Sequence, residues 1–205
     1  TALRMARAAP NGIDDASLLL VPWMQMAPAS DPGVPDVLGR LRNVAGVLSA
    51  TAANQAPYDA TAWSVQVWTA THPATKHVVS VFLGDEDFAS TLGMATSAGR
   101  HFMTHEFRDY RGDQTELQAG TQSVLVSSAL ASRLYGRSDP LGLPLLMAPG
   151  ARLRVVGVFE RLPPPAGARD TGDLAVVLPV RMSRAADARF IVRHAADPEI
   201  VATRI

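Results

Sequence analysis

The sequence predicts an α+β fold with largely antiparallel sheets. Two observations carry that expectation. Short apolar runs with strand character recur along the 205 residues, and helical periodicity is confined to a few separated segments. Strands therefore cluster instead of alternating strictly with helices, which argues against a doubly wound α/β sheet. Hydrophobic residues make up 47% and charged residues 19%, a composition that supports a packed core.

Residues 1–15 are polar and irregular, with a turn signal at Pro10, Asn11 and Gly12. Leu18 to Trp23 is a short apolar run that reads as a buried strand. Asp31 and Pro32 look like a helix start, a capping carboxylate followed by proline in the first turn. Val34, Val37, Leu38 and Leu41 then form one apolar helical face; Gly46 marks the exit, and a strand follows over Val47–Thr51. Between Trp63 and Thr69 the chain alternates, Trp63, Val65 and Val67 on one face and Ser64, Gln66 and Trp68 on the other. Val78–Leu83 is a more continuous strand. Asp85, Glu86 and Asp87 sit where a second helix starts, Phe88 and Leu92 lie one turn apart, and Gly93 closes it.

Residues 99–122 read as a charged loop. Val124–Val126 is a short strand, Ser127 a helix cap, and Leu130, Ala131, Leu134 and Tyr135 one helical face ended by Gly136. Leu143–Met147 and Leu153–Phe159 flank a turn at Pro149 and Gly150, the pattern of a hairpin. Pro163, Pro164 and Pro165 form a stiff connector. Leu174–Val180 and Arg189–Arg193 are the last strands, and Asp197 with Pro198 opens a final helix.

Charge and composition exclude several classes of function. Lys+Arg and Asp+Glu balance at 19 each, so the chain lacks the excess of positive charge expected of a nucleic-acid partner. There is no cysteine, which removes disulfides, thiol nucleophiles and thiolate metal sites and suits an oxidising compartment. No apolar stretch approaches the roughly 20 residues that span a bilayer. The chain opens on Thr1 without a signal-peptide pattern, which reads as a piece of a longer protein.

The search for chemistry is mostly negative. His101 and His105 are four residues apart with Glu106 beside them, a spacing that would put two imidazoles on one face of a helix. The intervening residues lack the glutamate of a metalloprotease signature, so a solvated loop pair is the stronger reading. Ser127 and Ser128 follow a strand and open a helix like a nucleophile, but capping explains them more economically. No phosphate loop or nucleophile elbow occurs. Consecutive Asp85, Glu86 and Asp87 do not converge on one cation, and solvated charge at a helix start is their expected role. Trp23, Trp63 and Trp68 could line a ligand cleft, but Trp63 follows the inward parity of its strand and reads as core. Trp68, on the polar face of its strand, is the candidate for an interface, either exposed or between subdomains.

A series of pieces in order resembles a known family. LGRLRNVAGVLSA at 38–50 is similar to a helix-to-strand unit with a Leu-Arg pair before a turn, where Ala45 replaces the usual proline. Asp87 and Phe88, Leu92 and Gly93, then GRHF at 99–102 follow. VLVSSALASRLYG at 124–136 leads into DPLG at 139–142, with Ser127 and Ser128 where members often carry Asn-Glu. RVVGV at 154–158, VVLP at 176–179, FIVR at 190–193 and Asp197–Pro198 complete the set. Together they resemble the MacB-like periplasmic core domain of ABC-transporter permeases.

That resemblance implies two subdomains within the α+β class. A porter-like α/β subdomain comes from both chain ends, 1–96 and 166–205, and a small β-rich, Sabre-like subdomain, 97–165, is inserted between. It implies a non-catalytic, cofactor-free periplasmic domain of an inner-membrane protein, transmitting ATP-driven motion to periplasmic substrates or proteins. The implied partners are a second permease protomer, an ABC ATPase domain or subunit acting through the membrane helices, and a periplasmic adaptor or substrate protein, with no nucleic acid. The competing readings are a periplasmic ligand-binding module and a metal hydrolase built on His101, His105 and Glu106.

Overall fold

The computed structural model describes residues 3–4, 12–21, 32–118, 120–168, 170–195 and 197–205. Among the described residues, twelve strands form one continuous sheet. They are β1 (Leu3–Arg4), β2 (Leu18–Val21), β3 (Val47–Ala53), β4 (Ser64–Trp68), β5 (His77–Gly84), β6 (Thr96–Gly99), β7 (Arg108–Tyr110), β8 (Thr121–Ser127), β9 (Pro144–Met147), β10 (Ala151–Phe159), β11 (Ala175–Met182) and β12 (Arg189–His194). Interspersed among them, in the described residues, are the α-helices α1 (Val34–Arg42), α2 (Phe88–Leu92), α3 (Ser128–Tyr135) and α4 (Pro198–Arg204). Most strand pairings are antiparallel; β8–β10, β5–β11 and β7–β11 are parallel.

Six strands close on themselves. β5 pairs with β4, β4 with β9, β9 with β10, β10 with β8, β8 with β11, and β11 returns to β5. Inside this ring stand Val67, Val79, Val81, Val124, Val126, Leu145, Leu153 and Val176, all buried in one apolar cluster. The alternation along each strand causes this, because a period of two sends every second aliphatic residue inward. From β5 the sheet continues through β3, β12 and β2 to β1, and the link from β5 to β3 is the pair Ala53–Gly84. One face of this extension is covered by Val34, Leu38 and Leu41 of α1 and Val201 of α4. On the other face Phe88 and Leu92 of α2 pack with Leu18, Phe82 and Ile191. Gly84 permits that approach, since a Cβ there would lie 2.5 Å from Phe88 Cγ.

The caps follow the sequence signals closely. Ser127 accepts a hydrogen bond from the Leu130 amide at 3.3 Å, and Asp197 accepts one from the Glu199 amide at 2.9 Å. Gly93 ends α2 in the left-handed conformation at φ 64°. The hairpin β9–β10 forms around Pro149 and Gly150.

The start of α1 differs from the expectation. Asp31 lies outside the described residues, Gly33 is the cap, and the proline in the first turn is Pro35. The supposed loop 99–122 contains β7 and short 3-10 turns at Thr104–Glu106 and Gln114–Gln118. Arg108, Asp109 and Tyr110 carry no apolar alternation. Backbone pairing with Val180–Met182 of β11 makes them a strand. Pro10, Asn11, Pro22 and Trp23 lie outside the described residues.

Candidate functional site

The residues nominated for metal chemistry do not form a metal site. His101 and His105 share no helix; His105 lies in the 3-10 turn Thr104–Glu106, and His101 precedes it. His101 Nε2 is 3.0 Å from Thr96 Oγ1. Both oxygens of Glu106 are engaged, by the Arg100 guanidinium at 2.7 and 2.8 Å, the Met103 amide at 2.7 Å and Ser123 Oγ at 2.5 Å. The Arg100 hydrogen bonds, helped by those from Met103 and Ser123, hold the Glu106 carboxyl down at about 2. A carboxylate with its lone pairs so occupied has little left for a cation. Among the described residues, no group of three or more metal-ligating side chains occurs.

The acidic turn takes a different role from the solvated one its sequence suggests. Asp85 accepts from Thr51 Oγ1, from the Ala52 amide at 3.0 Å and from the Asp87 amide at 3.1 Å, joining β3 to the start of α2. Burial raises its carboxyl above the ordinary range against the pull of these donors. Glu86 binds Arg181 on β11, and Asp87 binds Arg42 on α1 at 2.7 Å. The three acids thus point to three elements, consistent with their failure to converge on one ion.

Ser127 is a structural residue of the same kind. Its hydroxyl donates to the Asp173 carbonyl at 2.8 Å and accepts from the Ala175 amide at 3.2 Å, besides capping α3. No histidine or carboxylate hydrogen-bonds to it among the described residues, so it lacks a base.

Trp68 is half-buried at the end of β4, on the face opposite Val67, with Lys76 Nζ 5.0 Å from its ring centroid. It takes part in the β4–β9 pairing, whose register is Val67–Met147 and Trp68–Leu146. The ring closes on its other side at β8–β11 through Val126–Val176 and Leu125–Val177. These two seams are short beside the β8–β10 ladder, which runs from Thr121–Arg152 to Ser127–Phe159.

A cavity of about 330 Å³ opens beside α2, lined by Phe88, Met94, Phe102, Phe107, Leu125 and Val177 among others, with Asp85, Glu86 and His101 also on its wall. Phe102 and Phe107 meet edge to face at 5.8 Å, and the Arg181 guanidinium lies over Phe107 at 5.4 Å. The sequence marked Asp85, Glu86, Phe88 and His101 separately, for other roles, and not as one lining. Its residues come from four separate stretches, and only folding brings them together.

The family model described as the MacB-like periplasmic core domain matches residues 4–205. The chain belongs to that family. Solved structures of similar architecture include the extracellular domain of the noncanonic ABC-type transporter YknZ from Gram-positive bacteria, at 16% identity and a TM-score of 0.55 over 86% of this chain and 80% of that one. The periplasmic region of MacB from Actinobacillus actinomycetemcomitans aligns at 12% identity and a TM-score of 0.57 over 94% and 81%. No curated protein sequence matches the chain. At such low identity the shared property of this MacB-like domain and these structures is the fold. Among the described residues, no helix of the MacB-like domain is long and apolar enough to cross a membrane.

Proposed function

We propose that this MacB-like domain passes motion generated by ATP hydrolysis across the membrane to a periplasmic substrate or protein, and does no chemistry itself. Family membership over residues 4–205 is the observation that carries the reading. The closed six-stranded ring supports it physically. Each ring strand is hydrogen-bonded on both sides, and a closed sheet around a packed aliphatic core deforms little under load. We take residues 1–96 with 166–205 as the porter-like subdomain and 97–165 as the inserted one. The insert contributes β8, β9 and β10 to the ring and joins β4 and β11 at the two short seams. Tilting one subdomain against the other opens both seams and the shared core together, so the pair moves as one body. Trp68, at a seam, is the interface residue in this reading. A second permease protomer and an ABC ATPase acting through membrane helices are the partners, and an inner-membrane permease is the parent protein.

The test uses the natural absence of cysteine, which makes every introduced thiol in this domain unique. In the reconstituted parent transporter, spin labels at exposed Leu48 and Ile200 should report protomer-to-protomer distances that change between ATP-bound and ATP-free states. Labels across the β4–β9 seam within one protomer should keep their separation. Unchanged distances between protomers would remove the mechanical reading.

A second reading, small-molecule capture, rests on the cavity of about 330 Å³ beside α2, which lies within the range of ligand pockets. Saturable one-to-one binding of an apolar probe, abolished by Phe102→Asp, would favour it over the lever.

A further inference from the structure

At one end of the ring, the β4–β5 hairpin meets the last turn of α3 and encloses a cavity of about 160 Å³ lined by Thr69, His72, Thr75, His77, Arg133 and Leu134. No carboxylate stands in that wall. Among the described residues, the guanidinium of Arg133 has no ionic partner, and neither has Lys76, the single lysine of the chain, which rests on Trp68 on the opposite face of the same hairpin. Arg133 is thus the formal charge of this cavity, with no acid in its wall to offset it.

The hydrogen bonds around the cavity orient its donors. Thr69 Oγ1 and Thr71 Oγ1 are 3.0 Å apart, and Thr71 Oγ1 is 3.1 Å from His72 Nδ1. These contacts engage Nδ1 of the His72 ring, so Nε2 is the ring nitrogen left to meet a ligand. His77 pairs with Val67 across the hairpin and so shares the inward face of its strand. It adds a second imidazole beside Arg133. A planar guanidinium with two imidazoles and threonine hydroxyls is the donor set that suits a phosphate-type oxyanion.

We infer that this cavity at the hairpin end binds a phosphate-type oxyanion, held by Arg133 with His72 and His77 beside it. The ligand is either free phosphate or the monoester phosphate of a headgroup, since both present the same terminal oxygens. The site is independent of the proposed mechanical role, and the domain alone suffices to test it.

The experiment is titration of the ¹⁵N-labelled chain with inorganic phosphate and, separately, with glycerol phosphate, followed by amide chemical shifts. Saturable shifts should centre on residues 69–77 and 133–134, with half-saturation below roughly 10 mM. Arg133→Gln, at an exposed position where the fold is not at stake, should weaken binding by about tenfold or more, and His77→Gln by less. Tighter binding of glycerol phosphate than of phosphate identifies a headgroup as the ligand; equal binding identifies the free anion. Shifts centred elsewhere, equal shifts with chloride, or unchanged affinity in Arg133→Gln would each overturn the inference.

Discussion

Replacing Glu106 by glutamine isolates what its buried charge contributes to the fold. The carboxylate side chain is only 10% exposed and is bound by Arg100, Met103 N and Ser123. These contacts lower its proton affinity from the ordinary 4.5 to about 2. At about 1.4 kcal/mol per tenfold change, that corresponds to an upper figure of roughly 3 kcal/mol of native-state stabilisation. Arg100 is 40% exposed, so solvent screening brings the expected loss in Glu106→Gln to about 2 kcal/mol. The sign follows from proton binding. Between about 2 and 4.5 the unfolded chain holds more proton at this residue than the folded one does, so the stabilisation is complete above 4.5 and fades as pH falls toward 2. Thermal unfolding of wild type and Glu106→Gln at neutral pH should differ by roughly 4–8 °C for a chain of this size. At a pH of roughly 3, half or more of that difference should be gone. A difference that stays constant through this pH range would refute the assignment of Glu106 as an ion-paired structural carboxylate.

Other changes test the packing and the absence of metal chemistry. Gly84→Ala places a Cβ against the Phe88 ring, 2.5 Å from Cγ, and should cost about 1–3 kcal/mol in chemical denaturation because α2 must move away from β5. Phe82→Ala empties a fully buried site beside Phe88, 6.0 Å between ring centroids, and should cost about 3–5 kcal/mol by the same measurement. Asp85→Ala strands the Ala52 amide and should destabilise more than Asp85→Asn, which keeps an acceptor there. Calorimetric titration with zinc should give no stoichiometric heat, and changing His101 and His105 to alanine should leave the trace unaltered; a one-to-one heat abolished by those changes would restore the metal reading.

Local features were legible in the sequence because their causes are local. The strand–cap–helix unit through Ser127, the β9–β10 hairpin at Pro149 and Gly150, and the alternation that buries Val67 while exposing Gln66 all depend on neighbours within a few residues. Closure of the ring was not legible. It depends on β11 finding β5 and β8, partners far away in the chain, and apolar periodicity says which face is inward without saying which strand lies alongside. β7 escaped notice for the same reason, being held by backbone bonds and not by an apolar pattern. The acidic turn was read as solvated charge because its partners, Thr51, Arg181 and Arg42, lie on other elements. The parity of Trp68 could be read from its strand, but its cationic neighbour Lys76 comes from the connection just before β5 and its seam partner Leu146 from β9.

The placement of β12 between β2 and β3 has a consequence for biosynthesis. Both neighbours emerge early, by Ala53, while β12 begins only at Arg189. At typical elongation rates of about 5–20 residues per second, the amino-terminal strands wait roughly 7–27 s with unsatisfied edges before their common partner arrives. A nascent chain in that interval offers open strand edges to any other chain nearby. Emergence of residues 189–194 from the ribosome, more than any intrinsic speed of the polypeptide, therefore sets when this half of the sheet can form, and fragments ending before residue 189 should aggregate and not stay folded.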